Sequence, residues 1–200
     1  MSADSASLKL THHFLIAMPG LEDDLFSRSV VYLCEHSARG AMGLIINKPA
    51  DLTMRQLFDK VDLPLRRDDL LQAPVLQGGP VHTERGFVLH DPIQLSEPAQ
   101  DDGSVYGSTL TVEGGLEMTT SRDVLEALSS VAGPRRVLVT LGYASWGEGQ
   151  LESELAENAW LTVPASTDIV FDTPLEQRYE KALDLLGLKA WMLSPEAGHA

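Results

Sequence analysis

The stretch that decides the fold is VLVTLGYASWGEGQL, residues 137–151. Its first five residues, Val137–Leu141, make an apolar run with Gly133-Pro134 before it and Gly142 after it. An apolar run without polar alternation reads as a central strand buried on both faces. The glycines at 142, 147 and 149 read as a glycine-rich turn, Gly142–Gly149, opening into a helix over Gln150–Asn158. Its acidic residues form a solvated face, with Leu151 and Leu155 inward. Downstream, Asp168–Phe171 reads as a strand. Thr173-Pro174-Leu175-Glu176 then joins a capping box to proline at the first helical position. That helix turns Leu175, Tyr179, Leu183 and Leu186 inward and stops at Gly187.

Upstream of the central run, Thr120 with Asp123 resembles a capping box for a helix striped by Val124, Leu125, Leu128 and Val131. Thr109–Val112 and Leu116–Thr119 are short strands around Gly114-Gly115. The first hundred residues read mainly as strands: His12–Ala17, then Ser29–His36 and Ala41–Asn47 as a hairpin. Pro49 stops that hairpin, because proline cannot donate to a ladder. Thr53 caps a short helix with Met54, Leu57, Phe58 and Val61 at helical spacing. Asp62–Pro74 is a polar connection whose leucines tuck under it. Val75–Gln77 and Gly86–His90 make a strand pair around Gly78-Gly79-Pro80. Leu95–Gly107 reads as a flexible loop, and residues 1–8 and 194–200 as flexible ends. Hairpins first and helix–strand alternation later predict an α+β class with a mixed sheet. The length, 200 residues, fits a single domain over 1–200.

Charge narrows the function classes. Fifteen Lys and Arg stand against 29 Asp and Glu, a net charge of −14. The first hundred residues hold nine basic and 13 acidic side chains, the second hundred six and 16. The basic pairs are Arg66-Arg67, followed at once by Asp68-Asp69, and Arg135-Arg136, which leads into the central run. Phosphate neutralisation dominates general nucleic-acid affinity, so direct nucleic-acid binding is disfavoured. The single cysteine, Cys34, excludes an intramolecular disulfide and fits a reducing compartment. The N-terminus lacks the order of a signal peptide, and no apolar run approaches a membrane span. A cytoplasmic protein with no membrane partner is expected.

No catalytic motif is complete. Strand alternation puts Cys34 and His36 on one face with Val30 and Tyr32, and Glu35 on the other. The thiol and imidazole would then stand roughly 7 Å apart along the chain, too far for direct contact unless they lean together. The structural alternative is a buried cysteine beside a hydrogen-bonded histidine. Ser145 sits where a nucleophile elbow would place its serine, but Tyr143 occupies the first glycine position. The same loop is neither a P-loop nor Gly-x-Gly-x-x-Gly, and Glu152, Glu154 and Glu157 would repel a polyanion. The six histidines match no zinc spacing, so neither a metal nor a cofactor is expected.

Several segments together resemble one family. They are Pro19-Gly20 with Phe26–His36, Gly40–Pro49 (GAMGLIINKP), Gln77–Pro80 (QGGP) with Arg85–His90, and Gly142–Leu151 followed by Glu152–Leu161. In this order they are similar to the AlgH/YqgE family of bacterial proteins, across roughly Leu10–Leu186. The resemblance implies a bifurcated β-sheet with a small barrel-like portion, surrounded by helices. It implies a regulatory role, since the family carries the label of a transcriptional regulator connected with alginate production. It supplies no catalytic residues. The motif-matched positions are Glu35, His36, Asn47, Lys48, Gly78, Gly79, His90 and Trp146, and with Cys34 they form the candidate functional surface.

Three functions remain open at this point. The first is a regulatory protein acting through a protein partner or a small-molecule ligand. The second is an enzyme with a cleft near Cys34/His36 and Asn47/Lys48. The third is a direct DNA-binding regulator. The missing catalytic motif and the acidic balance favour the first.

Overall fold

The computed structural model describes residues 8–92, 106–130 and 132–193. The expected flexible loop and termini therefore lie almost wholly outside the described residues, as does Val131. The strands are β1 (His13–Ala17), β2 (Val30–Ser37), β3 (Gly40–Ile45), β4 (Pro49–Thr53), β5 (Pro74–Gln77), β6 (Val81–His90), β7 (Thr109–Val112), β8 (Leu116–Thr119), β9 (Val137–Trp146) and β10 (Trp160–Pro164). The helices are α1 (Met54–Lys60), α2 (Asp123–Ser129), α3 (Gln150–Ala156), α4 (Thr167–Phe171) and α5 (Leu175–Asp184).

The strand order is β10-β1-β2-β3-β9-β6-β8-β7, and the sheet forks at β9. Ala144, Ser145 and Trp146 pair with β3, whereas Thr140 and Leu141 pair in parallel with Leu76 and Gln77 of β5. Strand β6 runs antiparallel along the other edge of β9, and β4 pairs with β5. The mixed sheet curls into a half-barrel surrounded by the five helices, so the α+β expectation holds. Backbones meet closely at the fork. A Cβ on Gly78 would lie 2.2 Å from the Gly142 carbonyl oxygen, and one on Gly79 would lie 2.1 Å from the Tyr143 carbonyl carbon. Gly142 itself turns through φ +74°, a conformation a side chain resists.

Three apolar layers result. Tyr32, Leu44, Ile169, Tyr179 and Leu183 pack between the sheet and α4–α5. Val31, Ile45, Trp146, Leu151 and Trp160 pack on the opposite face under α3. Met54, Phe58, Val88, Val124 and Leu128 pack beneath α1 and α2. The 62–74 connection does tuck Leu63, Leu65 and Leu70 against this last layer.

Several local expectations are corrected. Strand β9 runs on through Gly142 to Trp146, so the turn is only 147–149 and Ser145 lies in a ladder, not on an elbow. Asp168–Phe171 falls within a helix, and β10, one of two unexpected strands with β4, pairs with β1 from His13↔Pro164 to Ala17↔Trp160. A short apolar run carries no period long enough to tell helix from strand, so the open edge of β1 decided it. The β2–β3 hairpin does end before Pro49, but Pro49 opens a further strand, β4, at a first-residue position where its missing N–H is tolerated. Strands β5 and β6 do not pair with each other; both lie on β9.

Of the three caps, Thr53 holds a capping box with Gln56. Helix α2 has no side-chain cap, and the Asp123 carboxylate instead accepts from the Gly107 amide at 2.8 Å. Helix α5 follows Pro174 as its cap residue, also without a side-chain cap, and Leu186 is exposed.

Candidate functional site

A β-bulge overturns the expected Cys34–His36 face. Leu33 pairs with Gly43, yet Glu35 pairs with Met42, so the register shifts at Cys34. One extra residue reverses the alternation beyond it. Cys34 stays in the α5-side layer with Tyr32 and Leu44, while His36 comes to the opposite face beside Ala41 and α3. Cys34 is buried, and that burial, helped by the Glu35 charge, pushes its thiol well above the usual range. A thiol held protonated is a poor nucleophile.

His36 is engaged at both ring nitrogens. Nδ1 accepts the Leu10 amide at 3.1 Å, so Nε2 carries the proton and donates to Glu152 Oε1 at 2.7 Å. That bond holds the Glu152 carboxyl below its ordinary range. Trp146 donates from Nε1 to Glu154 Oε2 at 2.9 Å, and Trp160 donates to the same oxygen at 2.8 Å. Phe26 packs against both indoles. Two carboxylates of the expected solvated helix face are thus bound by buried rings.

Asn47 and Lys48 hold the segment before β2. Asn47 accepts the Val30 amide through Oδ1 and donates through Nδ2 to the Arg28 carbonyl, both at 2.9 Å. Lys48 donates to the Ser27 carbonyl. Gly78 and Gly79 make the close approach at the fork. His90 is fully buried, donating from Nδ1 to the Asp91 carbonyl and accepting the Thr119 hydroxyl at Nε2, both at 2.8 Å. Beside it, Glu117 Oε2 lies 3.9 Å away, buried without a hydrogen-bond partner among the described residues. Burial raises the Glu117 carboxyl above its ordinary range.

The nine candidate positions therefore do not converge. Glu35 and Trp146 share a shallow hollow of about 180 Å³ with Arg39 and Ser145. His36 borders another, of about 480 Å³, with Glu152 and Lys9. Cys34, Asn47, Lys48, Gly78, Gly79 and His90 line none of the hollows described.

A different cleft carries the more specific chemistry. A cavity of about 290 Å³ lies between the 67–76 connection, the start of β9, and α4–α5. Its floor is Leu76, Leu138, Val139 and Val170, and four arginines line it: Arg67, Arg135, Arg136 and Arg178. Two of these are neutralised. Arg67 makes a two-toothed pair with Asp69 at 2.7 and 3.1 Å and also donates to the Pro134 carbonyl. Arg136 grips Asp91 at 2.9 and 3.1 Å, reaches Asp172 at 3.1 Å, and stacks on Phe171.

Arg178 differs. It is only 7% exposed, donating from Nε to the Thr173 carbonyl and from Nη1 to the Ile46 carbonyl. Among the described residues it forms no ion pair, and neither of these bonds uses Nη2. Burial pulls its pKa down to about 10. The sequence reading passed over it, although α5 periodicity sets Arg178 beside the inward Tyr179, Ala182 and Leu183. A lone cation on an apolar stripe was the available signal.

Among the described residues, no group of three or more His, Cys, Asp and Glu is placed to hold a metal ion. No described helix is long and apolar enough to cross a membrane.

Comparison with known proteins is consistent across sequence and structure. The family model described as AlgH-like matches residues 14–191. A UPF0301 protein of Polaromonas is 68% identical over 200 residues, covering all of both chains. One from Verminephrobacter eiseniae is 70% identical over the same full span. The solution structure of AlgH from Pseudomonas aeruginosa is 45% identical, covers all of both chains, and superposes with a TM-score of 0.73. A crystal structure of a Corynebacterium diphtheriae protein shares the fold at 21% identity and TM-score 0.66, covering 92% of this chain and 93% of that one.

Proposed function

The chain belongs to the AlgH-like family, and we propose that it is a cytoplasmic regulatory protein that senses a small molecule in the arginine-lined cleft. It acts on transcription indirectly, through a protein partner that reads the occupied state. The observation that carries this reading is Arg178, a guanidinium that is buried beside a cavity, forms no ion pair among the described residues and feels Asp172 and Glu176 only through space. Burying a charge is expensive unless something pairs with it, and a ligand can supply that pair. The cleft is also concave and sets apolar side chains such as Leu76, Val139 and Val170 beside charged ones that can orient a ligand, as small-molecule sites do. The net charge of −14 argues against the chain gripping DNA itself. The enzyme reading near Cys34/His36 and Asn47/Lys48 lacks support from geometry, since the bulge separates the first pair.

The test is native mass spectrometry of the full chain after incubation with a mixture of cytoplasmic metabolites. The expected result is a retained one-to-one adduct that Val170→Trp, which fills the cleft, abolishes. Turnover of a metabolite, or tight sequence-selective DNA binding at physiological salt, would overturn the reading.

A further inference from the structure

We infer that the cleft takes a small organic monocarboxylate, its carboxylate on Arg178 and its apolar body on the floor of Leu76, Val139 and Val170. This rests on the reading of the cleft as a ligand site and adds the class of ligand. Three observations lead to it.

The first is the geometry of the open donor. Nε and Nη1 of Arg178 are fixed by the Thr173 and Ile46 carbonyls, so the guanidinium is held at two corners. Its orientation is set before any ligand arrives, while Nη2 stays available on a side chain that lines the cavity. A planar guanidinium matches a planar carboxylate, and charge-assisted bonds of this kind are about twice as strong as neutral ones.

The second is charge. Of the four arginines, only Arg135 and Arg178 are outside the carboxylate pairs among the described residues. Arg135 is exposed and lies where the cavity meets a wider polar mouth holding Asp69, Asp91 and Asp172. Set against the four arginines, these three carboxylates leave a surplus of one positive charge, which a single carboxylate balances and a nucleotide or a sugar diphosphate exceeds. No glycine-rich phosphate loop lines the cavity either.

The third is the floor. The side chains of Leu76, Val139 and Val170 offer no hydrogen bonds to a second polar group, and they favour the burial of methylenes against them. A volume of about 290 Å³ stands at the small end of ligand sites, which suits a short chain or one ring. Inorganic phosphate would satisfy the arginine but leave this floor empty.

The experiment is a titration of the full-length protein followed by the Nε–Hε signals of its arginines in nitrogen–proton NMR spectra. The probes are hexanoate, its neutral counterpart hexanamide, and inorganic phosphate. Hexanoate is expected to move the Arg178 signal saturably, with affinity at least tenfold tighter than either of the other two. Arg178→Lys should weaken hexanoate at least fivefold, and Arg135→Ala by a smaller factor of about two. Because the decisive signal is read on the unaltered protein, the test survives a variant that does not fold.

Phosphate binding more tightly than hexanoate at Arg178 would overturn the ligand class while leaving the cleft as a ligand site. Hexanoate binding that moves other residues and leaves Arg178 still would overturn the assignment of Arg178. No saturable shift from any probe would overturn this inference; a metabolite adduct abolished by Val170→Trp would still support the broader reading, and its absence would remove both.

Discussion

The two faces of the sheet treat buried polar groups in opposite ways. Under α3, His36 is bonded at both nitrogens, and one carboxylate oxygen of Glu154 receives both Trp146 and Trp160. Each donor there has its acceptor, so the arrangement ties α3 to β2, β9 and β10 and leaves nothing for a ligand. Under α5, Arg178 meets two carbonyls and, among the described residues, no carboxylate, beside a cavity with an apolar floor. A satisfied network is a joint. A half-satisfied one next to open space is a site in waiting. His36 and Trp146, two of the candidates with suggestive chemistry, are on the first face, and the less conspicuous arginine is on the second.

The largest effect should come from breaking the joint. Glu154→Ala leaves two buried indole N–H groups without an acceptor, and we expect it to lower stability by about 2–4 kcal/mol in urea unfolding followed by tryptophan fluorescence. Glu154→Gln keeps an acceptor and should lose about half as much. If Glu154→Ala is nearly neutral, the α3 face is not the satisfied joint described here.

Arg178→Met should have a smaller effect on folding, within about 1 kcal/mol of the natural chain. Loss of two carbonyl bonds opposes relief of an unpaired buried charge, and Met keeps the packing volume. A loss of several kcal/mol in the same unfolding assay would show that Arg178 is a structural joint too.

Two carboxylates should respond to pH with opposite sign. Glu117 is raised by burial, so its folded form binds a proton more readily than the unfolded chain does. Its contribution is present below the ordinary Glu pKa and is lost as pH rises through the raised value. Glu117→Gln should therefore make stability fall less between about pH 4 and pH 7. Glu152 is lowered by the bond from His36, so its contribution is present above the ordinary Glu pKa and is lost as pH falls through the lowered value. Glu152→Gln should weaken the protein slightly at neutral pH and reduce its loss of stability in acid. With the Glu152 side chain 45% exposed, this is the smallest of the effects, under about 1 kcal/mol. Thermal melts of Glu117→Gln between about pH 4 and pH 7, and of Glu152→Gln from neutral pH to below about pH 4, check the pair, and two changes of the same sign would break the contrast.

Much of the fold could be read from local pattern. The β2–β3 hairpin, the Thr53 cap and the core of β9 follow from alternation, cap chemistry and an apolar run. The errors fell where local pattern is short. Asp168–Phe171 offers four residues, too few to show a helical period, and the edge of β1 took Trp160–Pro164 as its partner instead. The candidate site was less legible. Alternation predicts faces only while the register is unbroken, and one bulge at Cys34 moved His36 to the far side. Arg178 was visible as a cation on an apolar stripe, but a stripe cannot show whether a carboxylate waits opposite.

By itself the sequence determined the family, the α+β class, the net charge of −14 and the weak prospect of general phosphate binding. These depend on residue types and their order, which no packing can alter. Only the tertiary structure decided which polar groups are satisfied. Glu152 and Glu154 meet rings from 116 and as few as six residues away, and Arg178 meets a carbonyl 132 residues away. Satisfaction of a buried charge is a property of what folding brings within about 3 Å of it, and sequence distance does not record that.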